Sequence, residues 1–279
     1  MSALAEGRPS RTAFSAAGHR AVHQDLDGAV VFRDPLAWQI LGADRDETVA
    51  TARQRNRPAL RYFIAMRHRF AEDALAAAVS RGTDQVVVLG AGLDTFAYRN
   101  PHPALRVFEV DHPATAGWKQ QRLADAGIEV PDSVAFVGVD FENDDLLERL
   151  RAGEVDLHRP VFFMWLGVVP YLTADAVHTT LSAIAAIPGG EVVFDYPAPA
   201  AELSGEAAAL RRRLSRRVAR AGEPFRSEWS PQQAEALLAD AGFAEIENLG
   251  AGALLHRYLC FDPSVAHGRG GNVIRGRRT

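Results

Sequence analysis

The stretch QVVVLGAGLDTFAYR, residues 85–99, decides the fold class that the sequence predicts. Its first part, QVVVL, is dominated by valine and is typical of a buried β-strand. Gly90 and Gly92 follow directly, and glycines are typical of the tight turn that joins a strand to a helix in an α/β sheet. The same turn holds an acid, Asp94. The stretch therefore predicts a ligand-binding turn whose ligand tolerates a carboxylate.

The pattern of apolar segments continues after this stretch. The segments LRVFEVD, SVAFVGVD, VFFMWLGV and EVVFDYP alternate with segments long enough for a crossover helix. Strands that are apolar throughout and joined by helices are typical of a parallel sheet with helices on both faces. Further on, FAEIENLG and LLHRYLCF are interpreted as a closing pair of strands. The predicted fold class is α/β, with a Rossmann-like, mostly parallel sheet.

The flanking segments suggest how the chain is organised. Residues 1–82 are predicted to form a helical N-terminal cover that belongs to the same domain, because residues 12–82 have helical periodicity and end at Gly82. The core is predicted over residues 83–262. Residues 263–279 are rich in Gly and Arg without apolar periodicity, and we expect a flexible tail there.

The composition of the 279 residues excludes several classes of protein. A formal net charge of -4 gives no basic field for nucleic acid. A single cysteine, Cys260, excludes an internal disulfide and a cysteine-based zinc site. The sequence contains no membrane-length apolar stretch and no signal-peptide pattern, so we expect a cytoplasmic protein without a membrane partner. No metal is expected, and the oligomeric state stays open.

The glycine turn discriminates between nucleotide cofactors. Dinucleotide binding requires Gly or Ala three residues after the second glycine, whereas this chain has Thr95. Asp94 would also repel a pyrophosphate. S-adenosylmethionine has no phosphate, and its ammonium and sulfonium groups tolerate a nearby acid. The turn therefore favours S-adenosylmethionine, with an NAD(P)-dependent oxidoreductase and a turn without any ligand as the alternatives.

Acids also end the next two predicted strands. In VFEVDHP, Asp111 is better placed than Glu109 to accept hydrogen bonds from ribose hydroxyls, although both face the same side of the strand. In VGVDFEN, Asp140 could accept from an adenine amino group and Phe141 could pack on the ring. A helix cap or a core position is the alternative for each residue. Together with the glycine turn, these acids place candidate binding residues at three successive strand ends, which favours a nucleotide site.

Several motifs together carry a family resemblance: VVVLGAGLDTFAYR, VFEVDHP, VDFE, FMWLGVVPYLT and AMRHRFAEDAL. They resemble the leucine carboxyl methyltransferase family of class I S-adenosylmethionine-dependent methyltransferases, especially its bacterial branch. The resemblance extends from residue 31 to LLHRYL. It implies a seven-stranded sheet with an antiparallel last strand, and a helical N-terminal cover over the active site.

The resemblance also implies which residues bind the cofactor. Arg67 would form a salt bridge to the cofactor carboxylate, with a solvated arginine as the alternative. Gly90 would line the methionine moiety, Asp111 would bind the ribose, and Asp140 with Phe141 would bind the adenine. Together with Gly92 of the turn, these residues are the predicted cofactor site.

On the acceptor side, the resemblance implies that Tyr171 orients the substrate, with plain packing as the alternative. Leu166 stands where many relatives have glutamate, so a polar contact to the cofactor is lost or supplied elsewhere. The predicted function is O-methylation of a carboxylate on a small secondary-metabolite acceptor, which needs no general base. The alternatives are a hydroxyl acceptor, for which His19, His23 or His68 would be the base, and a binding module without catalysis.

Overall fold

A computed structural model of the chain describes residues 11–203, 205–220, 222–262 and 271–278. The helices are α1 (Arg11–Leu26), α2 (Ala37–Leu41), α3 (Arg45–Arg55), α4 (Pro58–Ser80), α5 (Phe96–Arg99), α6 (Pro113–Asp125), α7 (Leu146–Ala152), α8 (Ala174–Ala185), α9 (Gly205–Arg220), α10 (Pro231–Ala241) and α11 (Ala251–Leu259). The strands are β1 (Gln85–Leu89), β2 (Arg106–Asp111), β3 (Val134–Gly138), β4 (Phe162–Trp165), β5 (Glu191–Tyr196), β6 (Glu245–Gly250) and β7 (Asn272–Arg277). A 3₁₀ turn, Val169–Tyr171, follows β4.

The strands form one seven-stranded sheet in the order β3-β2-β1-β4-β5-β7-β6. The strands β1 to β5 pair in parallel, whereas β7 is antiparallel to both β5 and β6. The chain runs outward from β1 to β3 and then returns to β4 on the other side of β1. Such a reversal opens a crevice at the carboxyl ends of β1 and β4, where open α/β sheets bind ligands. The predicted fold class is confirmed.

Both faces of the sheet are covered because its central strands are apolar throughout. Every residue of β1, β4 and β5 is buried. Along β4, Phe163 and Trp165 join the apolar cluster on one face, and Phe162 and Met164 join the cluster on the other. This alternation is the consequence of the two-residue repeat of a strand.

The N-terminal helices form a layer over one side of the sheet. The long helix α4 packs on β4 and β5, and α1 packs on α4. A third apolar cluster joins α1 and α2 to the segment after the glycine turn, through Ala17, Ala21, Ile40 and Leu93. Of the helices in the described part of the chain, none has the length and apolarity to cross a membrane.

The interpretation of LLHRYLCF as a strand is wrong, because this segment lies in the helix α11 and the residues after it. The residues of α11 that pack in the apolar cluster on this face of the sheet are Leu254, Leu255, Tyr258 and Leu259. Their spacing of one and four residues is that of one helix face. The short apolar runs LL and YLCF in this segment resemble a buried strand when they are read without their tertiary contacts.

The last strand of the sheet comes from the segment for which the sequence predicts a flexible tail. Residues 272–277 form β7, and the side chains of Val273 and Ile274 are fully buried. The expectation of a flexible tail is therefore wrong for these residues. They are paired with β5 on one side and with β6 on the other, and this pairing compensates for their weak apolar pattern. Residues 263–270 of the expected tail lie outside the described residues.

Candidate functional site

The glycine turn after β1 is fixed against the end of β2. The N–H of Gly90 donates to the carbonyl of Val110 at 2.7 Å, and the N–H of Gly92 donates to Oδ2 of Asp111 at 2.6 Å. Gly90 has a φ of +65°, and a Cβ at this position would lie 2.3 Å from Cγ2 of Val168. Both the backbone angle and this close approach require glycine. The turn therefore joins the ends of β1 and β2 to the loop after β4.

Asp111, at the end of β2, retains free acceptor capacity. Its Oδ1 accepts from the N–H of His112 at 2.8 Å, and its Oδ2 accepts from Gly92. These bonds use two of the roughly four lone-pair positions of a carboxylate. Burial raises the pKa of Asp111, against the opposing effect of the two backbone donors. The remaining positions can accept hydrogen bonds from a pair of hydroxyl groups.

Glu109 lies on the same strand, but both of its oxygens accept from side chains inside the protein. Nζ of Lys119 donates to its Oε1 at 2.8 Å, and the hydroxyl of Tyr98 donates to its Oε2 at 2.7 Å. The side chains of Glu109 and Lys119 are both 2% exposed. Burial and the neighbouring Glu109 raise the pKa of Tyr98, so its hydroxyl stays protonated. Glu109 belongs to the internal support of the sheet.

Asp140 and Phe141 lie beyond the end of β3, next to Asp111. The N–H of Val139 donates to the carbonyl of Asp111 at 2.9 Å and holds the two strand ends together. The carboxylate of Asp140 accepts from Asn143 Nδ2 at 2.8 Å, within its own loop. Phe141 stacks on Trp165 of β4, with ring centroids 6.3 Å apart. The loop is thus tied to the centre of the sheet.

Arg67 extends from α4 to the carboxyl ends of β4 and β5. Its Nη1 donates to Oδ2 of Asp195 at 2.7 Å, and Oδ1 of Asp195 accepts from the N–H of Gly167 at 2.6 Å. Arg67 is 7% exposed. Its Nε is buried and has no hydrogen-bond partner among the described residues. A buried donor without a partner is costly, and here it marks a place where a ligand oxygen can bind.

Asp195 is a residue that the sequence analysis missed. It interrupts the apolar segment EVVFDYP of β5, and an acid inside a buried strand is a signal that could have identified it. Leu166, beside Gly167, is half-buried and packs on the apolar cluster around α4. Asp195 therefore places a carboxylate next to Leu166, the position at which many relatives have glutamate.

The acid in the glycine turn is neutralised inside the protein. Oδ1 of Asp94 accepts from the N–H of Phe96 at 2.7 Å, and its Oδ2 lies 3.3 Å from Nε2 of His68. Nδ1 of His68 faces the carbonyl of Ile64 at 2.7 Å. Burial raises the pKa of Asp94, but the hydrogen bond and charge of His68, together with Arg20 and Arg99, hold this pKa well below its usual range. Asp94 is an ionised group with an internal partner.

The two other candidate histidines lie one turn apart on α1. His23 is fully buried, its Nδ1 lies 2.9 Å from Oδ2 of Asp27, and its Nε2 has no partner among the described residues. His19 is half-buried and forms no hydrogen bond within the described part of the chain. Burial, and then the charges of nearby arginines, lower the pKa of His19 to about 4.

Tyr171 ends the 3₁₀ turn after β4 and is covered by α1. Its ring packs on Phe225 with a centroid distance of 5.5 Å, and its hydroxyl is hydrogen-bonded to Thr12. The guanidinium of Arg211 lies 4.3 Å from the centroid of the Phe225 ring. Burial raises the pKa of Tyr171 to about 12, so the hydroxyl is neutral and can donate.

The predicted residues thus line one edge of the sheet, along the carboxyl ends of β3, β2, β1 and β4. A direct hydrogen bond links Gly92 to Asp111. Arg67 reaches this edge of the sheet from α4, and Tyr171 reaches it from the loop after β4. A cavity of about 320 Å³ between α4 and the segment around Phe96 is lined by Arg69 and Glu72. It lies on the opposite face of α4 from Arg67 and is separate from this edge.

A comparison of sequences assigns the family. The sequence profile of the leucine carboxyl methyltransferase family matches residues 13–185, from α1 to α8. The match covers more than half of the chain. The chain belongs to the leucine carboxyl methyltransferase family, as the motifs predicted.

Bacterial relatives carry the provisional name of S-adenosyl-L-methionine-dependent methyltransferase. YktD of Bacillus subtilis (strain 168) is 37% identical over 179 residues, which are 60% of this chain and 56% of YktD. A protein of Mycobacteroides abscessus is 32% identical over 208 residues, which are 72% of this chain and 68% of that protein. The chain thus spans little more than half the length of YktD.

Solved structures confirm the architecture. A protein of Thermobifida fusca YX, provisionally named a methyltransferase, aligns with a TM-score of 0.64 over 98% of this chain and 96% of its own, at 18% identity. A DUF574 family protein of Streptomyces avermitilis aligns with a TM-score of 0.59 over 94% of this chain and 97% of its own, also at 18% identity. At this identity, the likeness concerns the fold alone.

Proposed function

We propose that the chain is an S-adenosylmethionine-dependent O-methyltransferase that methylates a carboxylate of a small, secondary-metabolite acceptor. Membership of the family and the names of its relatives support the reaction class. The observation that carries the proposal is that one edge of the sheet holds Gly92 and Asp111 at the ends of β1 and β2 and Arg67 at the ends of β4 and β5, with acceptor and donor capacity left over on the two charged side chains.

These residues fit S-adenosylmethionine better than a dinucleotide. The unpartnered Nε of Arg67 suits a carboxylate, and the spare lone pairs of Asp111 suit the ribose diol. A pyrophosphate would need the backbone donors at the start of α5, but the ionised Asp94 already accepts from Phe96 there. An NAD(P)-dependent oxidoreductase is therefore disfavoured.

In the proposed complex, Arg67 holds the cofactor carboxylate and the glycine turn lines the methionine moiety. Asp111 binds the ribose, and the loop with Asp140 and Phe141 encloses the adenine. The bound cofactor supplies a methyl group on a sulfonium. The protein positions the acceptor for in-line attack and excludes water, with α1 over Tyr171 as part of the cover.

Two of the three candidate histidines of the cover, His68 and His19, favour a carboxylate acceptor over a hydroxyl. A carboxylate with a pKa near 4 is ionised at neutral pH, whereas a phenol with a pKa near 10 needs a base. His68 faces hydrogen-bond acceptors with both nitrogens. His19, with a pKa of about 4, is too weak a base for a phenol. Tyr171 is a neutral donor that can orient the acceptor.

Transfer of a labelled methyl group to a panel of carboxylic acids and phenols tests the proposal. We expect methyl esters, which release methanol in mild alkali, and a kcat that stays nearly constant between about pH 6 and 8 because the acceptor is ionised throughout. An alkali-stable product, formed at a rate that rises with a pKa near that of histidine, would instead indicate a hydroxyl acceptor.

Calorimetric titration with each cofactor tests the two remaining alternatives. We expect S-adenosylmethionine to bind and NADH not to bind. The opposite result would establish an oxidoreductase. Binding of S-adenosylmethionine without methyl transfer to any member of the panel would favour a binding module.

A further inference from the structure

Thr95 is the residue at which the glycine turn departs from the dinucleotide pattern, and its hydroxyl has a partner in the cover. Thr95 is fully buried, and its Oγ1 donates to Oδ1 of Asp34 at 2.7 Å. The same Oγ1 accepts from Nε of Arg99 at 3.1 Å. A glycine or an alanine at this position could not make these bonds. The turn is therefore bonded to the segment VFRDPLA, residues 31–37.

Asp34 lies at the centre of these contacts. Its side chain is fully buried, and its Oδ2 accepts from Nε of Arg20, on α1, at 2.9 Å. Its Oδ1 also accepts from the N–H of Leu36 at 3.2 Å. Burial raises the pKa of this carboxyl, but Arg20 and Arg99, with the hydroxyl of Thr95, hold the pKa below its usual value. Asp34 is therefore an ionised carboxylate that joins α1 to the turn.

Arg20 also contacts the turn directly. Its Nη2 donates to the carbonyl of Leu93 at 2.6 Å, and its side chain is 3% exposed. The side chain of Leu93 packs with residues of α1 and α2 in one apolar cluster. A buried ion pair adds little net stability over packed apolar groups, but it fixes the orientation of its partners. The contacts of Arg20 therefore fix the position of α1 on the turn.

The start of the same helix lies over the acceptor side. The backbone N–H groups of Arg11 and Thr12 donate to the carboxylate of Glu223 at 3.1 and 3.2 Å. Thr12 also hydrogen-bonds the hydroxyl of Tyr171. The helix α1 thus contacts the predicted acceptor residue with its first turn and the predicted cofactor turn through Arg20, further along.

We infer that Arg20, Asp34 and Thr95, which we call the cover–turn link, couple cofactor binding to the docking of α1. This inference rests on the proposed function. Arg20 is a positioning residue, since it acts on the turn through the carbonyl of Leu93. A cofactor that binds the turn in this conformation fixes the groups to which α1 is bonded. Because coupling is reciprocal, a docked α1 in turn raises the affinity for the cofactor, and the cover over the acceptor side is stabilised when the cofactor is bound.

Calorimetric titration with S-adenosylhomocysteine, the cofactor product, tests the link without turnover. Asp34→Asn keeps the shape of the side chain but removes its charge, and it should raise the Kd about tenfold, a typical size for coupling between sites. Thr95→Val removes only the hydroxyl and should raise the Kd about threefold to fivefold, whereas Thr95→Ser keeps the hydroxyl and should bind within about twofold of the wild type. Thr95→Val leaves the pair of Arg20 and Asp34 intact, so it tests the inference even if Asp34→Asn does not fold.

Glu191→Gln is the matched control, because Glu191 is also a buried carboxylate with two arginine partners, Arg81 and Arg275. It lies at the start of β5, at the edge of the sheet away from the turn. Urea denaturation should show that Glu191→Gln loses stability, as Asp34→Asn does, while its Kd for S-adenosylhomocysteine stays at the wild-type value. Equal losses of affinity in these two variants, or in Thr95→Ser and Thr95→Val, would overturn the inference.

Hydrogen exchange of the α1 amides is a readout that a merely structural role would not change. S-adenosylhomocysteine should slow exchange in α1 of the wild type and of Glu191→Gln, whereas Asp34→Asn should lose this protection and Thr95→Val should retain only part of it. Equal protection of α1 in all four proteins would contradict the coupling and leave the proposed function intact. A wild-type protein that binds neither S-adenosylmethionine nor S-adenosylhomocysteine would overturn the proposed function, and the coupling with it.

Steady-state kinetics separate a positioning role from a chemical one. With an acid that the wild type methylates, Asp34→Asn should raise the KM for the acid, because α1 covers the acceptor side. At saturation with both substrates, its kcat should stay within about twofold of the wild type. A lower kcat at unchanged KM and Kd would assign Asp34 to the chemical step and refute the positioning role.

Discussion

The middle and the carboxyl end of β2 each hold an acid, and the two acids differ in their surroundings: Glu109 is buried, whereas Asp111 is half-buried. Both carboxylates accept two hydrogen bonds, but Glu109 accepts from the side chains of Lys119 and Tyr98 inside the protein, whereas Asp111 accepts only from backbone N–H groups at the strand end. The acids face the same side of one strand and are two residues apart. Unused hydrogen-bonding capacity at a strand end, without a cationic partner inside the protein, distinguishes a binding group from a supporting one.

The same difference separates residues of the cover. On α4, Arg67 has a buried Nε without a partner in the described part of the chain, whereas Arg69 is half-exposed and paired with Asp73. His68, below the glycine turn, is satisfied at both nitrogens, whereas His19 is satisfied at neither within the described residues. If unused hydrogen-bonding capacity marks the site, substitution of an unsatisfied residue should lower the affinity for the cofactor, whereas substitution of a satisfied residue should leave this affinity unchanged.

The largest effect is expected on stability, from Glu109→Ala. Removal of this carboxylate leaves the buried ammonium of Lys119 unpaired, which should lower the free energy of unfolding by about 3 to 5 kcal/mol. Urea denaturation measures the change. At temperatures where the variant remains folded, its affinity for S-adenosylmethionine should match that of the wild type. A large loss of affinity in the folded variant would show that Glu109 also serves the site.

Arg67→Ala should lower both the affinity for S-adenosylmethionine and the stability, because it also leaves the buried Asp195 without its cationic partner. Loss of a hydrogen-bonded ion pair to the cofactor carboxylate should weaken S-adenosylmethionine binding by about 1.5 to 3 kcal/mol in calorimetry. Arg69→Ala is the control, and it should change the affinity little because its exposed pair with Asp73 is on the other face of α4. Equal losses in both variants would mean that the wrong face of α4 has been assigned to the cofactor.

Asp111→Ala should weaken S-adenosylmethionine binding by about 1 to 3 kcal/mol, because the ribose hydroxyls lose their acceptor. The exposed Asp125, at the end of α6, provides a control in Asp125→Ala. Calorimetric titration compares the two variants once circular dichroism has confirmed that both are folded. An unchanged affinity in folded Asp111→Ala would remove this residue from the proposed site.

The smallest effect concerns the stability of the cover in acid. The pKa of His19 is lowered to about 4 in the folded protein and is near 6.5 in the unfolded chain. The unfolded chain therefore binds the extra proton first, and stability falls as the pH decreases from about 6.5 towards 4. His19→Asn should reduce this loss by about 1 kcal/mol, after solvent screening of a half-buried group. Urea denaturation at pH 7 and pH 5 measures it, and an identical pH dependence in both proteins would contradict the low pKa.

Local sequence was sufficient to predict the strands β1 to β5 and the residues at their ends. Each of these strands is an apolar run bounded by a helix, so its position depends little on distant parts of the chain. The turn at Gly90 and Gly92 and the acid Asp111 follow a strand directly, and the sheet brings them together.

The contacts that local sequence could not predict join distant residues. Arg67 meets Asp195 over a separation of 128 residues, and His68 meets Asp94 across the boundary between cover and core. The segment NVIRGR becomes a strand because it is paired on both edges, whereas LLHRYL becomes a helix because one of its faces packs on the sheet. In both segments, tertiary contacts override the local pattern.

The position of β7 has a consequence for synthesis on the ribosome. Among the strands of the described residues, β6 pairs with β7 alone, and β7 follows all the others along the chain. Until residues 272–277 emerge, β5 has an unpaired edge and β6 has no neighbour to pair with. A nascent chain of this protein therefore carries an open sheet edge, the kind of surface on which chains aggregate, until residues 272–277 have been translated. Binding of chaperones to the nascent chain should persist up to this point.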